Sequence, residues 1–236
     1  MITVISSFYN ESKNCESFLK MVEKSSAFLS IDELVVVDNG STDDTYKKLL
    51  NLRSSKFAIL VIKNPLLSEY GDGFHAAFQT AKNDFIFMIH SDLQYDLTEY
   101  IKQNFELINS CIANKINIFP KRIKRPVFSE IKSLIYRFVL TLFSFTLFSD
   151  FNGQPKFLIK SDFSKMKSYC SNFVYDASLF FYLVKNKKNI NLSTKTEERE
   201  RIHGKSSWNK GMISQLKELF NNLNALKKFK NQNFFK

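Results

Sequence analysis

The chain has 236 residues, 44% hydrophobic and 24% charged, which excludes an intrinsically disordered chain and leaves room for one large α/β domain or two small ones. Its net charge of +11 is unevenly divided: residues 1–114 carry 10 Lys and Arg against 15 Asp and Glu, and residues 115–236 carry 24 against 8. The acidic first half excludes a continuous nucleic-acid surface; the basic second half suits a phosphate-bearing or membrane-surface partner, or simply a lysine-rich solvated face.

Ile2 to Phe8 reads as a first strand, with no basic segment ahead of it to suggest a secretory leader. Tyr9-Asn10-Glu11 follows, and Ser12 caps a helix predicted over roughly 12–28 with Leu19, Met21, Val22 and Phe28 on its apolar face. Leu34 to Asp38 is a second strand, apolar on both faces as in a parallel sheet. Ser41 with Asp44 three residues on forms a capping-box pattern, so a helix is expected from there to about residue 53. Phe57 to Ile62 is a third strand, and Gly71-Asp72-Gly73 leads into a helix whose small face (Ala76, Ala77, Ala81) can approach a sheet closely. Phe85 to Ile89 is the fourth strand; it runs straight into His90, Ser91, Asp92 and Gln94, with Asp96 or Thr98 as the next cap. Four alternations of strand and helix are the pattern of a doubly wound parallel sheet, whose ligands bind at the carboxyl ends of the strands. Oxygen donors at Asp92 and Gln94 and a nitrogen donor at His90 suit a divalent metal there. The three cysteines, Cys15, Cys111 and Cys170, are odd in number and widely spaced, which suggests neither a disulfide framework nor a zinc site.

The ordered set Ser6-Ser-Phe-Tyr-Asn-Glu11, Val36-Val-Asp-Asn-Gly-Ser-Thr-Asp43, Gly71-Asp-Gly73 and His90-Ser-Asp-Leu-Gln94 resembles the nucleotide-sugar domain of family-2 glycosyltransferases, and most of all the branch that makes dolichyl- and undecaprenyl-phosphate sugars. The resemblance implies a GT-A fold: a doubly wound, mostly parallel α/β sheet flanked by helices, with a C-terminal helical region on the acceptor side. It implies one domain over 1–236, in which 1–114 binds the nucleotide sugar and 115–236 faces acceptor and membrane. A nucleotide-diphosphate sugar would be held by Phe8, Tyr9, Asn10, Glu11, Asp38, Gly40, Ser41, Gly73 and Ser91. A divalent metal, Mn²⁺ or Mg²⁺, would sit on Asp92, Gln94 and His90. The family usually shows Asp-x-Asp at the metal, and His90 replaces the first Asp, which leaves open a functional ligand, a weaker site or a catalytically inactive scaffold in a glycan-assembly complex.

In the second half, Asn117 to Phe119 is a short strand, followed by a basic segment between Pro120 and Pro126. The run Phe138 to Phe148 is 11 residues long, too short to span a bilayer; residues 129–149 form either a core helix or a helix lying in the membrane interface. Asp150 to Phe157 is similar to the segment that lines the acceptor in the lipid-phosphate branch, which places Gln154 and Lys156 beside the acceptor, and a strand follows over 157–159. Asp176 opens a further helix, either as its cap or as the catalytic base that a hydroxyl acceptor requires. Arg201, His203, Lys205 and Ser206 surround Gly204 in what looks like the family's diphosphate-closing loop, with Arg201 and Lys205 on the leaving group and His203 and Ser206 toward the acceptor. Residues 212–230 form a basic amphipathic helix with Ile213, Leu216, Leu219, Phe220, Leu223 and Leu226 on one face. The implied partners are a nucleotide-diphosphate sugar, a polyprenyl phosphate or saccharide acceptor and the cytoplasmic face of a membrane, and no nucleic acid.

Overall fold

The computed structural model describes residues 1–66, 68–201 and 212–235. Its first half is the predicted alternation: β1 (Ile2–Phe8), α1 (Cys15–Ser25), β2 (Ile31–Asp38), α2 (Thr45–Leu50), β3 (Ala58–Lys63), α3 (Tyr70–Thr80) and β4 (Phe85–Met88). Then come α4 (Leu97–Gln103), α5 (Phe105–Ala113), β5 (Asn117–Ile118), β6 (Lys121–Ile123), α6 (Val127–Ser144), β7 (Lys156–Ile159), α7 (Tyr175–Lys185), β8 (Ile190–Asn191), β9 (Lys195–Glu197) and α8 (Met212–Phe234).

A seven-stranded sheet runs in the order β3-β2-β1-β4-β7-β5-β8. β1 to β4 are parallel, β7 is antiparallel to both of its neighbours, and β8 lies parallel to β5. Because successive side chains alternate across a strand, the apolar runs feed two cores. Val4, Leu34, Val36, Phe87 and Ile89 face the helices α1, α4 and α5; Ile5, Val35, Val37, Ile86 and Met88 face α3 and α7. This double burial is why β2 shows no polar alternation.

Register sets the functional rim. Phe8 pairs with Asp38 and Ile5 with Met88, so the residues after β1, β2 and β4 emerge at one edge. Glycine brings α3 down onto that edge: a Cβ at Gly73 would fall 2.0 Å from Ser7 Oγ and 2.9 Å from Asn39 Cγ.

Several local expectations are corrected. Ser41 does not start α2: its hydroxyl accepts the Asn10 N–H instead, and the helix begins at Thr45 with no side-chain cap from Asp44. Likewise α1 begins at Cys15, while the Ser12 N–H donates to Asp43 Oδ2. Asp96 does cap α4, accepting from the Glu99 N–H at 3.1 Å. The six apolar positions assigned to one face of α8 do not share one environment: Leu226 is buried, as is Phe229, whereas Leu216 and Phe220 are exposed.

The larger departure is α6. Apart from Leu140 and Ser144 it is not a buried core helix: Val127, Phe128, Ile131, Leu134, Ile135, Phe138 and Leu142 are all exposed, and Phe145 and Leu147 just beyond it are 87% and 83% exposed. These residues recur three, four and seven apart, so they form one outward apolar stripe. The two arginines of the basic segment ahead of α6 turn inward, while Lys121 and Lys124 stay exposed. Arg122 donates through two nitrogens to Asp150, and Arg125 pairs with Glu198 at 2.8 Å and donates to Ser133 Oγ of α6 at 3.0 Å.

Candidate active site at the carboxyl edge of the sheet

The loop after β1 and the loop after β2 clasp each other. The Asn10 N–H donates to Ser41 Oγ at 3.0 Å, the Thr42 N–H to Asn10 Oδ1 at 2.8 Å, and the Glu11 N–H to Thr45 Oγ1 at 2.9 Å. Positive φ at Asn10 (55°) and Gly40 (80°) makes these turns possible. Asn10 and Ser41 therefore shape the rim, and Tyr9, 59% exposed, stands over it. Phe8 is a correction: it is fully buried, edge-on to Phe18, and belongs to the core rather than to a ligand surface. Gly73 likewise provides room for α3 against Ser7 and Asn39.

Asp38 is the most unusual group at the rim. It is fully buried, and neither carboxylate oxygen has a hydrogen-bond partner among the described residues. Buried polar groups are nearly always paired, so two orphan oxygens on one side chain point to a donor beyond the described residues. The neighbouring amides are already engaged: Asn39 Nδ2 donates to the Glu69 carbonyl and Asn64 Nδ2 to Asn39 Oδ1.

At the other end of the rim, Asp92 and Gln94 converge on one cation. Arg201 Nη2 lies 2.9 Å from Asp92 Oδ2, and Arg201 Nε donates to Gln94 Oε1 at 3.1 Å. The strand end and the segment before Arg201 are zipped together, with the Arg199 N–H donating to the Gln94 carbonyl and Gln94 Nε2 to the Arg199 carbonyl. Arg199 in turn pairs with Asp96. Ser91 donates to the Ser7 carbonyl, tying β4 to β1 at the rim. Burial raises the Asp92 carboxyl above its ordinary range against the opposing pull of Arg201. Burial also raises Glu11; Asp92 adds to that rise and Arg201 opposes it, so the three groups share one electrostatic environment.

Among the described residues no three His, Cys, Asp or Glu side chains gather on one point as a metal cage would require. Even so, an ionised oxygen of Asp92 and an amide oxygen of Gln94 already grip a single positive group, and that donor set fits a hard divalent cation in place of the guanidinium.

His90 is held from beneath. Its Nε2 lies 2.8 Å from the Tyr70 hydroxyl and 3.1 Å from the Gln154 amide. Burial, reinforced by the Lys156, Arg201 and Arg122 charges, pushes its pKa down to about 3, so the ring is neutral. The two residues expected beside an acceptor, Gln154 and Lys156, are fully buried, and this is a second correction. Lys156 Nζ pairs with Asp176 Oδ2 at 3.0 Å, and the Tyr70 hydroxyl donates to the same oxygen at 3.1 Å. Asp176, in the first turn of α7, is not its cap; its Oδ2 is engaged by Lys156 and Tyr70, while Oδ1 has no partner among the described residues. Sequence reasoning missed Tyr70 and Asn39: one is an aromatic residue before a Gly turn, the other a turn asparagine, and neither pattern signals its role. His203, Lys205 and Ser206 lie outside the described residues.

Comparison with known proteins agrees with this architecture. The glycosyl transferase family 2 model matches residues 3–145. Among solved structures, glucosyl-3-phosphoglycerate synthase from Mycobacterium tuberculosis, in complex with Mn²⁺, UDP and glucosyl-3-phosphoglycerate, superposes with a TM-score of 0.67 at 15% identity, over 97% of this chain and 79% of that one. The same synthase with Mn²⁺ and UDP-glucose gives 0.67 at 16% identity over 97% and 78%, and with Mg²⁺ and UDP gives 0.67 at 14% over 97% and 79%. The likeness establishes the GT-A fold. No curated protein sequence matches the chain.

Proposed function

The chain belongs to glycosyl transferase family 2, and from that premise we propose that it is an inverting hexosyltransferase that moves a sugar from a nucleotide-diphosphate donor to a polyprenyl phosphate, with a glycan hydroxyl as the alternative acceptor, at the cytoplasmic face of a membrane. One observation carries the reading. At a single rim, a buried carboxylate with two unpaired oxygens (Asp38) and an oxygen pair gripping a cation (Asp92, Gln94) stand as the two ends of a nucleotide-diphosphate site.

In this reading Asp38 accepts hydrogen bonds from the base or ribose, and Tyr9 and Glu11 flank the nucleotide at the rim. Asp92, Gln94 and His90 would hold a divalent cation, which would supply charge neutralisation for the diphosphate. Arg201 and Lys205 add fixed positive charge where the negative charge of the leaving group develops. Glycosyl transfer passes through an oxocarbenium-like state, so stabilising that departure is the main task.

Two features favour the phosphate acceptor. A sugar hydroxyl needs a base, and Asp176 is committed to Lys156 and Tyr70. A phosphate is already anionic and needs none. The exposed apolar stripe of α6 suits a surface that lies in the headgroup boundary beside a lipid substrate. No described helix is long and apolar enough to cross a membrane. The test is transfer of radiolabelled sugar from UDP and GDP donors by the purified protein to a polyprenyl phosphate and to soluble glycans. Label is expected in the lipid phase, and absence of transfer from every donor would overturn the proposal. Donor binding without transfer would instead identify an inactive scaffold.

A further inference from the structure

The floor beneath His90 is a closed set of hydrogen bonds whose protons can be placed one by one. Gln154 is oriented with Nε2 donating to the Met88 carbonyl at 2.6 Å, so its Oε1 faces Lys156 Nζ at 2.6 Å and His90 Nε2 at 3.1 Å. An amide oxygen only accepts, so Nε2 must carry a hydrogen. The Tyr70 hydroxyl gives its single proton to Asp176 Oδ2, which leaves it too as an acceptor toward the same Nε2 at 2.8 Å. Two partners therefore demand the same thing of the ring. A neutral imidazole has one N–H, and Nδ1 is left with the lone pair.

The arrangement is charge-balanced and rigid. Lys156 and Asp176 neutralise each other, and Gln154, Lys156 and Asp176 are at most 2% exposed, whereas His90 is partly exposed. None of these contacts uses Nδ1, which leaves that nitrogen as the one the floor does not engage. His90 stands two residues past the end of β4 and two residues before Asp92, at the rim where Arg201 marks the cation position.

We propose that Tyr70, Gln154, Lys156 and Asp176 form a positioning device that fixes His90 as the Nε2–H tautomer and offers Nδ1 as a neutral nitrogen ligand beside Asp92 and Gln94. The cation half of this inference rests on the nucleotide-sugar reading; the tautomer half rests on the hydrogen bonds alone. Exchanging a carboxylate for an imidazole makes the donor set softer, which favours Mn²⁺ or Co²⁺ over Mg²⁺. Outer partners that orient a ligating histidine are worth about 10- to 100-fold in metal affinity, so Tyr70 is expected to matter although it acts only through His90.

Two measurements test the inference. With only three histidines, ¹⁵N-imidazole spectra of the labelled full chain, assigned with His90→Asn, report the tautomer directly. A fixed Nε2–H form is expected, and an Nδ1–H or mixed form overturns the positioning role. Pulsed EPR of Mn²⁺ with UDP is expected to show ¹⁴N coupling in the wild type. That coupling should be lost in His90→Asn, and the Mn²⁺/Mg²⁺ affinity ratio should fall roughly 10-fold. Tyr70→Phe should keep the coupling while weakening Mn²⁺ by about 10-fold. Mn²⁺–UDP bound without nitrogen coupling overturns the ligand role and leaves the glycosyltransferase reading standing. Failure of the folded wild type to bind Mn²⁺ with either UDP or GDP overturns both.

Discussion

Lys156→Met removes the ammonium group from the buried assembly under the site and leaves its partners in place. Asp176 then keeps one hydrogen bond, from Tyr70 to Oδ2, because Oδ1 has no partner already. Gln154 Oε1 keeps only His90. With Lys156 fully buried and Asp176 2% exposed, water does not replace what is lost. Breaking one side of such a buried pair costs about 3–5 kcal/mol. For a chain of this length that corresponds to a fall in melting temperature of roughly 6–20 °C. The companion variant Lys156→Met/Asp176→Asn removes both charges at nearly constant shape and retains an acceptor for Tyr70, so it should lie within about 1–2 kcal/mol of the wild type. Urea unfolding followed by circular dichroism gives both numbers. A single variant within about 1 kcal/mol of the wild type, or a double variant no better than the single, would refute the buried pair.

Four further outcomes follow from the same geometry. Asp38→Asn should weaken UDP binding by about 10- to 150-fold, the value of a lost charged hydrogen bond, without lowering the melting temperature, since the carboxylate has no partner among the described residues; titration calorimetry and a melt check the two halves. Asp92→Ala should abolish transfer, and near-normal turnover would refute the cation site. His75 is held neutral by burial, with its pKa pushed down to about 4 against the opposing charge of Asp72. The unfolded chain therefore binds more protons between about pH 6.5 and 4, and stability should be full above 6.5 and decline as the pH drops toward 4; His75→Gln should flatten that slope in melts recorded across the range. The triple change Phe128→Ser, Phe138→Ser and Phe145→Ser alters side chains that are 69%, 62% and 87% exposed, so folding should be unaffected. If each ring contributes about 1.5–3 kcal/mol by leaving water, partition onto anionic vesicles should fall at least about 100-fold, and unchanged flotation would remove α6 from the membrane surface.

The first half of the fold is legible because its signals are local. β1, β2 and β4 are apolar on both faces and end in turn chemistry, and Asp38 and Asp92 stand where strand ends put ligands. What the sequence hides is pairing over distance. β6 and β9 are three residues each, Lys-Arg-Ile and Lys-Thr-Glu, with no apolar pattern to announce a strand. They are joined in parallel register and flanked by the Arg122–Glu198 and Lys124–Glu197 ion pairs, partners more than 70 residues apart. The capping box at Ser41 failed for the same reason: a local rule lost to a contact with Asn10 across the rim. Lys156 gave no sign of burial, because a lysine is buried only when paired and its acid lies 20 residues downstream in another element.

Charge asymmetry between the halves takes on a different meaning once these pairs are known. The basic half gives Arg122 to Asp150, Arg125 to Glu198 and Lys156 to Asp176, acids of its own half, and these contacts hold that half together. Other basic residues cross to the acidic half: Lys115 reaches Asp84, and at the rim Arg199 reaches Asp96 and Arg201 reaches Asp92. Several of the most deeply placed cations are thus internal, and they join the two halves at the rim instead of presenting a uniform basic face to a lipid headgroup. On the proposed membrane reading, attraction would come chiefly from the apolar stripe of α6, with exposed lysines such as Lys121 as a secondary contribution. The same reasoning explains how one segment serves both ends of the molecule. Glu198 holds Arg125, which donates to Ser133 of α6, and three residues later Arg201 grips Asp92 and Gln94, so the surface helix and the cation position are linked through side chains of a single short strap.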